Sequence, residues 1–412
     1  MRERPKPAET SGTAPVGTGA DCLAAAQLLS KQFSAQASER DLERQLPYDA
    51  FDQLRAHGLQ AIRVPKAFGG PGGSVRELIE MTRVLSQGDS NISQALSPHL
   101  LVVDSLLLWG TLEQQEKIFS DLLSGQIINN AFAERGGKFV GDIATRLTAD
   151  GDGFRLNGRK FYSTGALLAD QLYVTAIMDD GVFALIYVPC RRGGLELIDD
   201  WDGMGQRTTA SGSTVFNNVR VERGEVVPLP KFATERTYFG ALAQSVHVAI
   251  DTGIAAAALE DAVDFANTKA RPMPESGVDR QADDPYVISS IGHMAIATHQ
   301  AEAMLSRALG YLEPAIAAQL DGTASGQDLD RLLSEASVAV AEAKAVATEA
   351  SLRVSEMIFS IGGASATLRQ YNFDRHWRNA RTHTTHDPVS YKYRLVGNFW
   401  LNDILPPIST KV

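Results

Sequence analysis

Residues 359–398 read FSIGGASATLRQYNFDRHWRNARTHTTHDPVSYKYRLVGN. The glycine pair at 362 and 363 predicts the end of a long helix, where the lack of side chains lets backbone amides approach a ligand closely. Four arginines follow, and most of them are expected to pair with acidic residues inside a helical bundle. His386-Asp387-Pro388 then interrupts the helical pattern, since proline cannot continue it. The stretch therefore predicts a helix end with an imidazole beside a carboxylate, and helix capping is the default role of that histidine.

The sequence before this stretch has a helical pattern. Between residues 327 and 358, apolar side chains recur at alternating gaps of three and four, which is typical of a helix packed in a bundle. These positions are Leu329, Leu332, Ala336, Val340, Ala343, Ala347, Ala350, Val354 and Met357. A second long helix is predicted over residues 237–269, because Arg271-Pro272-Met273-Pro274 stops the pattern there.

The middle third changes to a pattern of strands. Asn157-Gly158 is expected to form a two-residue hairpin turn between residues 154–156 and 159–162, because both central residues of such a turn need a positive φ. Hydrophobic segments at 172–176, 182–188 and 213–216 predict further strands. Residues 126 to about 230 are therefore expected to form a mostly antiparallel β unit.

The N-terminal third is again helical, from Cys22 to about Ser124. Thr111 and Gln114 are expected to form the capping box of a helix that starts after Gly110. The first twenty residues are rich in Pro, Gly, Ser and Thr and predict a disordered tail. The predicted division is a tail at 1–20, an N-terminal helical domain at 21–125, a middle β-barrel-like domain at 126–232, a C-terminal helical bundle at 233–401 and a tail at 402–412.

Composition excludes several classes of protein. The 412-residue chain carries 39 Lys and Arg against 49 Asp and Glu, a formal charge of −10, which argues against nucleic acid or an anionic membrane as partner. Cys22 and Cys190 cannot build a disulfide framework, and no stretch of about 18 uninterrupted apolar residues predicts a membrane span. We therefore expect a cytoplasmic enzyme.

Three further motifs have ordinary interpretations. Gly69-Gly70-Pro71-Gly72-Gly73 lacks the strand, helix and lysine of a nucleotide-binding loop and predicts a surface turn. His376, His383 and His386 lie close in sequence, but no carboxylate stands at a ligand spacing with them, so no metal site is predicted. Trp201 lies in a polar, glycine-rich loop and is expected to pack on another domain or on a flat ligand.

Together these features resemble the acyl-CoA dehydrogenase superfamily. The likeness rests on the helical–β–helical order, the Asn157-Gly158 segment with its Lys160-x-aromatic-x-Thr strand, the Gly362-Gly363 helix end and the Arg378-Asn379-Ala380-Arg381 run. The resemblance implies an α+β fold with an N-terminal helical domain, a middle antiparallel β domain and a C-terminal four-helix bundle. It also implies a flavin between the β domain and the bundle, and a homotetramer.

Three departures from the dehydrogenase pattern narrow the resemblance. The family's catalytic glutamate corresponds to Asp387, which is one methylene shorter, although a base must come within about 3 Å of the proton it removes. The family's Thr-Glu-Pro segment reads Ala133-Glu134-Arg135, and the glutamine that helps to bind the adenosine half of FAD is Phe359. With these three changes the sequence resembles one branch of the superfamily, the two-component, reduced-flavin-dependent monooxygenases. This branch includes dibenzothiophene monooxygenases and sulfur-acquisition oxidoreductases.

This resemblance implies reduced FMN as cofactor and oxygenation of a small apolar substrate, such as an organosulfur compound, by O₂ through a flavin hydroperoxide. A separate NAD(P)H:flavin reductase would supply the FMNH₂. His386 would protonate the oxygen adduct, and His99 would act as a general acid–base group opposite it. The implied catalytic residues are His99, His386, Ser163 and Asn129. The implied cofactor-binding residues are Asn129, Ser163, Thr164, Trp201, Arg271, Gly362, Gly363, Ser365 and Arg369.

Two alternatives stay open on the sequence alone. One is an FAD-dependent acyl-CoA dehydrogenase with Asp387 as base, and the other is a flavin-binding protein without turnover. The identity of the substrate also stays open, because Val103 stands where the dibenzothiophene branch has a tyrosine one helical turn after His99.

Overall fold

The computed structural model describes residues 17–138, 141–409 and 411. The N-terminal third is helical as predicted. Its helices are α1 (Gly19–Glu43), α2 (Tyr48–Ala56), α3 (Val75–Leu96), α4 (Val102–Trp109) and α5 (Leu112–Leu123). The predicted capping box is confirmed, because Thr111 Oγ1 accepts from the Gln114 amide and Gln114 Oε1 accepts from the Thr111 amide. Most of the predicted tail at 1–20 lies outside the described residues, and α1 begins inside it, at Gly19.

The middle third is a sheet of eight described strands. They are β1 (Ile128–Ala131), β2 (Arg146–Asp150), β3 (Gly153–Lys160), β4 (Gln171–Met178), β5 (Phe183–Pro189), β6 (Leu195–Ile198), β7 (Ser213–Val221) and β8 (Val226–Pro228). The strand order is β6-β7-β3-β2-β4-β5-β8, with β1 beside β4. The β1–β4 and β2–β4 pairs are parallel and the remaining pairs are antiparallel, so the predicted, mostly antiparallel unit is confirmed.

The hairpin predicted at Asn157-Gly158 is wrong. Strand β3 runs through both residues, and the turn that joins it to β2 lies at Gly151-Asp152. At Gly158 the register against β7 shifts, and a Cβ atom at this position would come within 2.3 Å of Thr145 Oγ1. The glycine is therefore explained by an irregularity in a continuous strand and by close packing.

The C-terminal third is a bundle of helices, which confirms the predicted fold class. They are α6 (Phe239–Thr268), α7 (Pro285–Leu320), α8 (Gly326–Ala366), α9 (Asp374–Thr384) and α10 (Ser390–Asn402). The three long helices α6, α7 and α8 pack on one another, and α9 and α10 pack on α8. The predicted seam of α8 faces this core, with Ala336 and Val340 fully buried. The helical path of α8 breaks at Gly363, where φ is 53°, and one turn follows before the helix ends.

Among the described residues, α6 is long and apolar enough to cross a membrane, and α3 with residues 99–109 passes the same test if the bent pair is one span. Neighbouring elements bury 72% of the apolar window of α6. The composition of α6 is therefore that of a core helix in the bundle.

The three thirds of the chain meet at the start of α9. A Cβ atom on Gly205 would lie 1.9 Å from the carbonyl oxygen of Arg378, so only glycine lets the loop at 199–212 approach α9 this closely. Arg378 itself donates to the carboxylate of Asp41 at the end of α1 and to the carbonyl oxygen of Met204 in the loop. This arginine, from the predicted arginine-rich stretch, therefore has a structural role.

Candidate functional site

The turn between α9 and α10 carries two titratable groups with opposite exposure. The side chain of His386 is 46% exposed, whereas that of Asp387 is 4% exposed, and 3.4 Å separates His386 Nδ1 from Asp387 Oδ2. Asp387 Oδ2 also accepts a hydrogen bond of 2.8 Å from Gln244 Nε2 on α6. Burial alone would raise the pKa of Asp387, but the hydrogen bond and charge of His386 hold it well below its usual value. The group that can exchange protons with a ligand is thus the imidazole.

His99 lies in a different environment from the one that its predicted role requires. Its ring is 2% exposed, Nδ1 accepts from the Ile128 amide at 3.0 Å, and Nε2 lies 2.8 Å from the Gln60 carbonyl oxygen. Burial lowers the pKa of His99 to about 4, so the ring is neutral and donates its one proton to that carbonyl. Both nitrogens are engaged by the backbone, and this geometry favours a structural role for His99, while its acid–base role stays a prediction.

Asn129 on β1 lies against the turn that follows β3, which carries Ser163 and Thr164. Asn129 is fully buried and its Nδ2 donates to the Gly165 carbonyl oxygen at 3.0 Å, while no described residue hydrogen-bonds with its Oδ1. Ser163 Oγ accepts from Thr214 Oγ1 at 2.8 Å. Gly165, with a φ of 72°, brings this turn against Asn129, because a Cβ atom there would come within 2.2 Å of the amide.

A chain of polar contacts joins the turn that carries Ser163 and Thr164 to α9. Thr164 Oγ1 lies 2.9 Å from Ser211 Oγ, which lies 2.8 Å from Thr209 Oγ1, and Thr209 donates to the Gln206 carbonyl oxygen. The indole of Trp201 donates to the same carbonyl oxygen at 2.7 Å. The Gln206 amide in turn donates to Asn379 Oδ1 on α9. The structure therefore brings Thr164 and Trp201 into one network that ends two helical turns before His386.

The residues predicted to meet a phosphate share one end of the bundle. Gly362, on α8, packs against the last turn of α6, since a Cβ atom there would come within 2.6 Å of the Phe265 ring. The loop that follows α6 contacts the same end through Gln281 Nε2, which donates to the Ile361 carbonyl oxygen. The exposed members of the predicted set are Arg271, Gly363, Ser365 and Arg369. Gly362 is thus explained by helix packing, and the exposed members remain predicted ligand contacts.

The histidines near the C-terminus do not form a metal centre. His376 Nε2 lies 2.7 Å from Asp261 Oδ2, and Arg375 donates to the same oxygen, so both side chains hold α9 on α6. Within the described ranges, no group of three or more His, Cys, Asp or Glu residues has the geometry to hold a metal ion.

Sequence reasoning missed three polar residues behind His386. His247 and Asp251 lie on α6 and Lys344 lies on α8, in alanine-rich parts of these helices. The ring of His247 contacts that of His386, with 4.4 Å between the ring centroids. Two polar residues four positions apart in an apolar helix share one face, and that spacing was the available signal.

Comparison with known proteins places the chain in a family. Residues 23–126 match the model of the acyl-CoA dehydrogenase N-terminal domain, and residues 245–391 match that of the acyl-CoA dehydrogenase C-terminal domain. The chain is 34% identical over 400 residues to a dibenzothiophene monooxygenase of Mycolicibacterium goodii, covering 94% of this chain and 95% of the relative. It is 31% identical over 400 residues to the probable FMNH₂-dependent monooxygenase SfnC of Pseudomonas putida, covering 95% and 98%.

A similar solved structure is that of FMN-bound TdsC from Paenibacillus sp. A11-2. The TM-score is 0.88 with 29% identity, and the match covers 95% of this chain and 100% of the other. Family models and relatives thus agree with the helical–β–helical architecture. The chain belongs to the acyl-CoA dehydrogenase family, in the branch that contains the dibenzothiophene monooxygenases.

Proposed function

We propose that this protein is the oxygenase component of a two-component flavin monooxygenase. It uses reduced FMN, which a separate NAD(P)H:flavin reductase supplies, and O₂ to oxygenate a small apolar substrate. One observation carries the proposal: at the α9–α10 turn the accessible titratable group is the imidazole of His386, and the carboxylate beside it is buried. The relatives named as dibenzothiophene and FMNH₂-dependent monooxygenases support the same reading.

The geometry of Asp387 argues against the dehydrogenase alternative. A base that removes a carbon-bound proton needs access to it and an appreciable proton affinity. The carboxylate of Asp387 has neither, because it is 4% exposed and its pKa is held below the usual value by His386 despite burial. An imidazole, in contrast, can donate and accept a proton near neutral pH. His386 is therefore assigned to donating a proton to the oxygen that is transferred.

Asn129 and the turn that carries Ser163 and Thr164 fit a reduced flavin. Asn129 Oδ1 is buried without a hydrogen-bond donor, and a buried amide oxygen is costly to leave unpaired, so a ligand N–H group there would be favourable. The isoalloxazine ring carries N–H groups, and the flavin supplies the activation of O₂ when it is bound. We assign Asn129, Ser163 and Thr164 to the ring edge and Trp201 to covering the ring. Arg271, with the exposed residues at the end of α8, is assigned to the phosphate.

The nature of the substrate is inferred from the relatives. Dibenzothiophene is an apolar organosulfur compound, and we infer a substrate of that class for this chain, with a role in sulfur metabolism. A homotetramer in the cytoplasm is the state that we infer for the enzyme.

The test is oxygen incorporation under ¹⁸O₂. Purified protein is mixed with FMN, NADH, a flavin reductase and dibenzothiophene, and the products are analysed by mass spectrometry. We expect the sulfoxide or sulfone with ¹⁸O, formed only when reductase and protein are both present. Anaerobic bleaching of bound flavin by acyl-CoA substrates, without ¹⁸O in any product, would instead identify a dehydrogenase. Flavin binding with neither reaction would identify a protein without turnover.

A further inference from the structure

A line of titratable side chains runs from His386 into the bundle, and the proposed function uses only its outer end. The ring of His247 lies against that of His386, and His247 Nδ1 lies 3.0 Å from His383 Nε2. His383 Nδ1 lies 2.6 Å from Asp251 Oδ1, and Asp251 Oδ2 accepts from Lys344 Nζ at 2.6 Å. Residues of α6, α8 and α9 thus form a hydrogen-bonded chain behind the exposed imidazole.

The inner end of this chain determines where each proton lies. Asp251 is fully buried, yet Lys344 and His383 hold its pKa below the usual value, so it is an anion that can only accept hydrogen bonds. His383 Nδ1 therefore carries a proton. Burial lowers the pKa of His383, so the ring is neutral and its Nε2 accepts the Nδ1 proton of His247. The chain thus holds His247 with a proton on Nδ1 and a lone pair on Nε2.

His247 is also kept neutral. Burial lowers its pKa well below the usual value, and positive charge on His386, His383 or Lys344 lowers it further, while Asp387 acts in the opposite direction. The rings of His247 and His386 are tilted by 33° at a centroid distance of 4.4 Å, so a face of His247 lies against His386. The hydrogen bond to His383 therefore holds an uncharged ring in a fixed orientation beside the exposed imidazole.

The remaining charges around the pair are those near Asp387. Its carboxylate lies 3.4 Å from His386 Nδ1, and Lys411 Nζ lies 3.8 Å from its other oxygen. The positive charge of Lys392 also lowers the pKa of Asp387, and Lys392 donates to the Lys411 carbonyl oxygen. Asp387 also accepts a hydrogen bond from Gln244 on α6, so the relay and this carboxylate both contact the turn from the bundle.

We propose that Asp251, His383 and His247 form a relay that fixes the tautomer of His247, and that His247 is a positioning residue for the proton transfer by His386. This inference rests on the proposed function, in which His386 is the proton donor. The relay itself, however, belongs to the chain without flavin, and it can be measured there.

The first test locates the protons. Solid-state NMR of flavin-free protein labelled with ¹⁵N-histidine distinguishes the two tautomers of each ring, and the signal that is lost in His247→Phe identifies His247. We expect the proton of His247 on Nδ1. In Asp251→Asn, Lys344 takes the amide oxygen, the amide N–H group faces His383 Nδ1, and the protons of both rings should move to the opposite nitrogens. A native His247 protonated on Nε2 would overturn the inference, whether or not the protein is an oxygenase.

The second test removes the ring nitrogens of His247 but keeps an aromatic ring at that position. It also leaves Asp251 in place, whereas Asp251→Asn would leave the buried charge of Lys344 without its anionic partner. His247→Phe keeps an aromatic contact with His386 but cannot donate to His383, so the relay no longer fixes the orientation of the ring. We expect kcat to fall about tenfold with KM unchanged, because the proton donor is less well positioned for the transferred oxygen. The pH profile should keep its limbs, since the ring of His247 is already neutral in the wild type.

The matched control is His57→Phe, which replaces an exposed histidine after α2 and should leave kcat, KM and the pH profile unchanged. A wild-type kcat in His247→Phe would overturn the positioning role. If no substrate is oxygenated by the wild-type protein, the proposed function fails, and the tautomer measurement still decides the relay.

Discussion

Two histidines that look equally suited to catalysis in the sequence occupy opposite environments. His99 is 2% exposed and both of its nitrogens are engaged by the backbone of Gln60 and Ile128. His386 is 46% exposed, and its neighbours are a buried carboxylate and another imidazole. The first ring connects secondary-structure elements and is kept neutral, whereas the second keeps a titratable edge for a ligand. The role of a histidine therefore follows from the partners of its nitrogens, which its position in the sequence does not reveal.

The largest effect expected from this contrast is the loss of turnover on His386→Ala. If His386 is the proton donor, substrate oxygenation should fall about 10²–10⁴-fold, the usual range for removing a positioned acid–base group. Thermal unfolding should change far less than turnover, because the side chain is half exposed, although the buried Asp387 loses one partner. His57→Ala is the control for the loss of an exposed imidazole. Normal oxygenation by His386→Ala would contradict the catalytic role that distinguishes His386 from His99.

The next effect is a dependence of stability on pH that His99 should provide. The pKa of His99 is about 4 in the folded chain, against about 6.5 for an unfolded histidine. Between these values the unfolded chain binds a proton that the folded chain does not, so stability decreases as the pH falls from 6.5 to 4. This difference corresponds to about 3 kcal/mol from His99.

Urea unfolding at several pH values measures this dependence. Since burial also lowers the pKa of His376 and His383, the wild-type slope contains their contributions, and the comparison is with His99→Gln. A slope that is equal in the two proteins between pH 4 and 6.5 would contradict the buried, neutral state of His99.

An effect of similar size concerns the hydrogen bonds of His99 at constant pH. His99→Ala leaves the Ile128 amide and the Gln60 carbonyl oxygen buried without their partner and should cost about 2–4 kcal/mol of unfolding free energy at pH 7.5. Activity per folded molecule should stay within a factor of ten of the wild type. A loss of turnover as large as that of His386→Ala, with unchanged stability, would restore the catalytic role first expected for His99.

The elements that depend on local pattern were predictable. The predicted helix at 237–269 agrees with α6 to within two residues, and the capping box of Thr111 and Gln114 is present. The hairpin at Asn157-Gly158 is wrong for a physical reason: the dipeptide favours a turn locally, but β3 pairs with β7 on either side of it. Pairing with a distant strand outweighed the local preference.

The candidate site was predictable only in part, because its chemistry depends on distant contacts. His386 followed from a motif, but His247 meets His383 across 136 positions of the chain, and Asp251 meets Lys344 across 93. The exposure of His386 and the burial of Asp387, which are adjacent in sequence, depend on the packing of the turn on α6. No single-sequence pattern carries that information.

The junction at Arg378 has a consequence for how the chain reaches its native state. Asp41 and Arg378 are separated by 337 positions, and the carboxylate is 1% exposed once they pair. During synthesis α9 is made after the sheet and the three long helices, so α1 completes its packing only when all of these are available. Contacts of this sequence separation slow folding, because a long loop must close before they form. Fragments that end before α9 would leave Asp41 without its buried partner, so we expect the packing of α1 to be weakened in them.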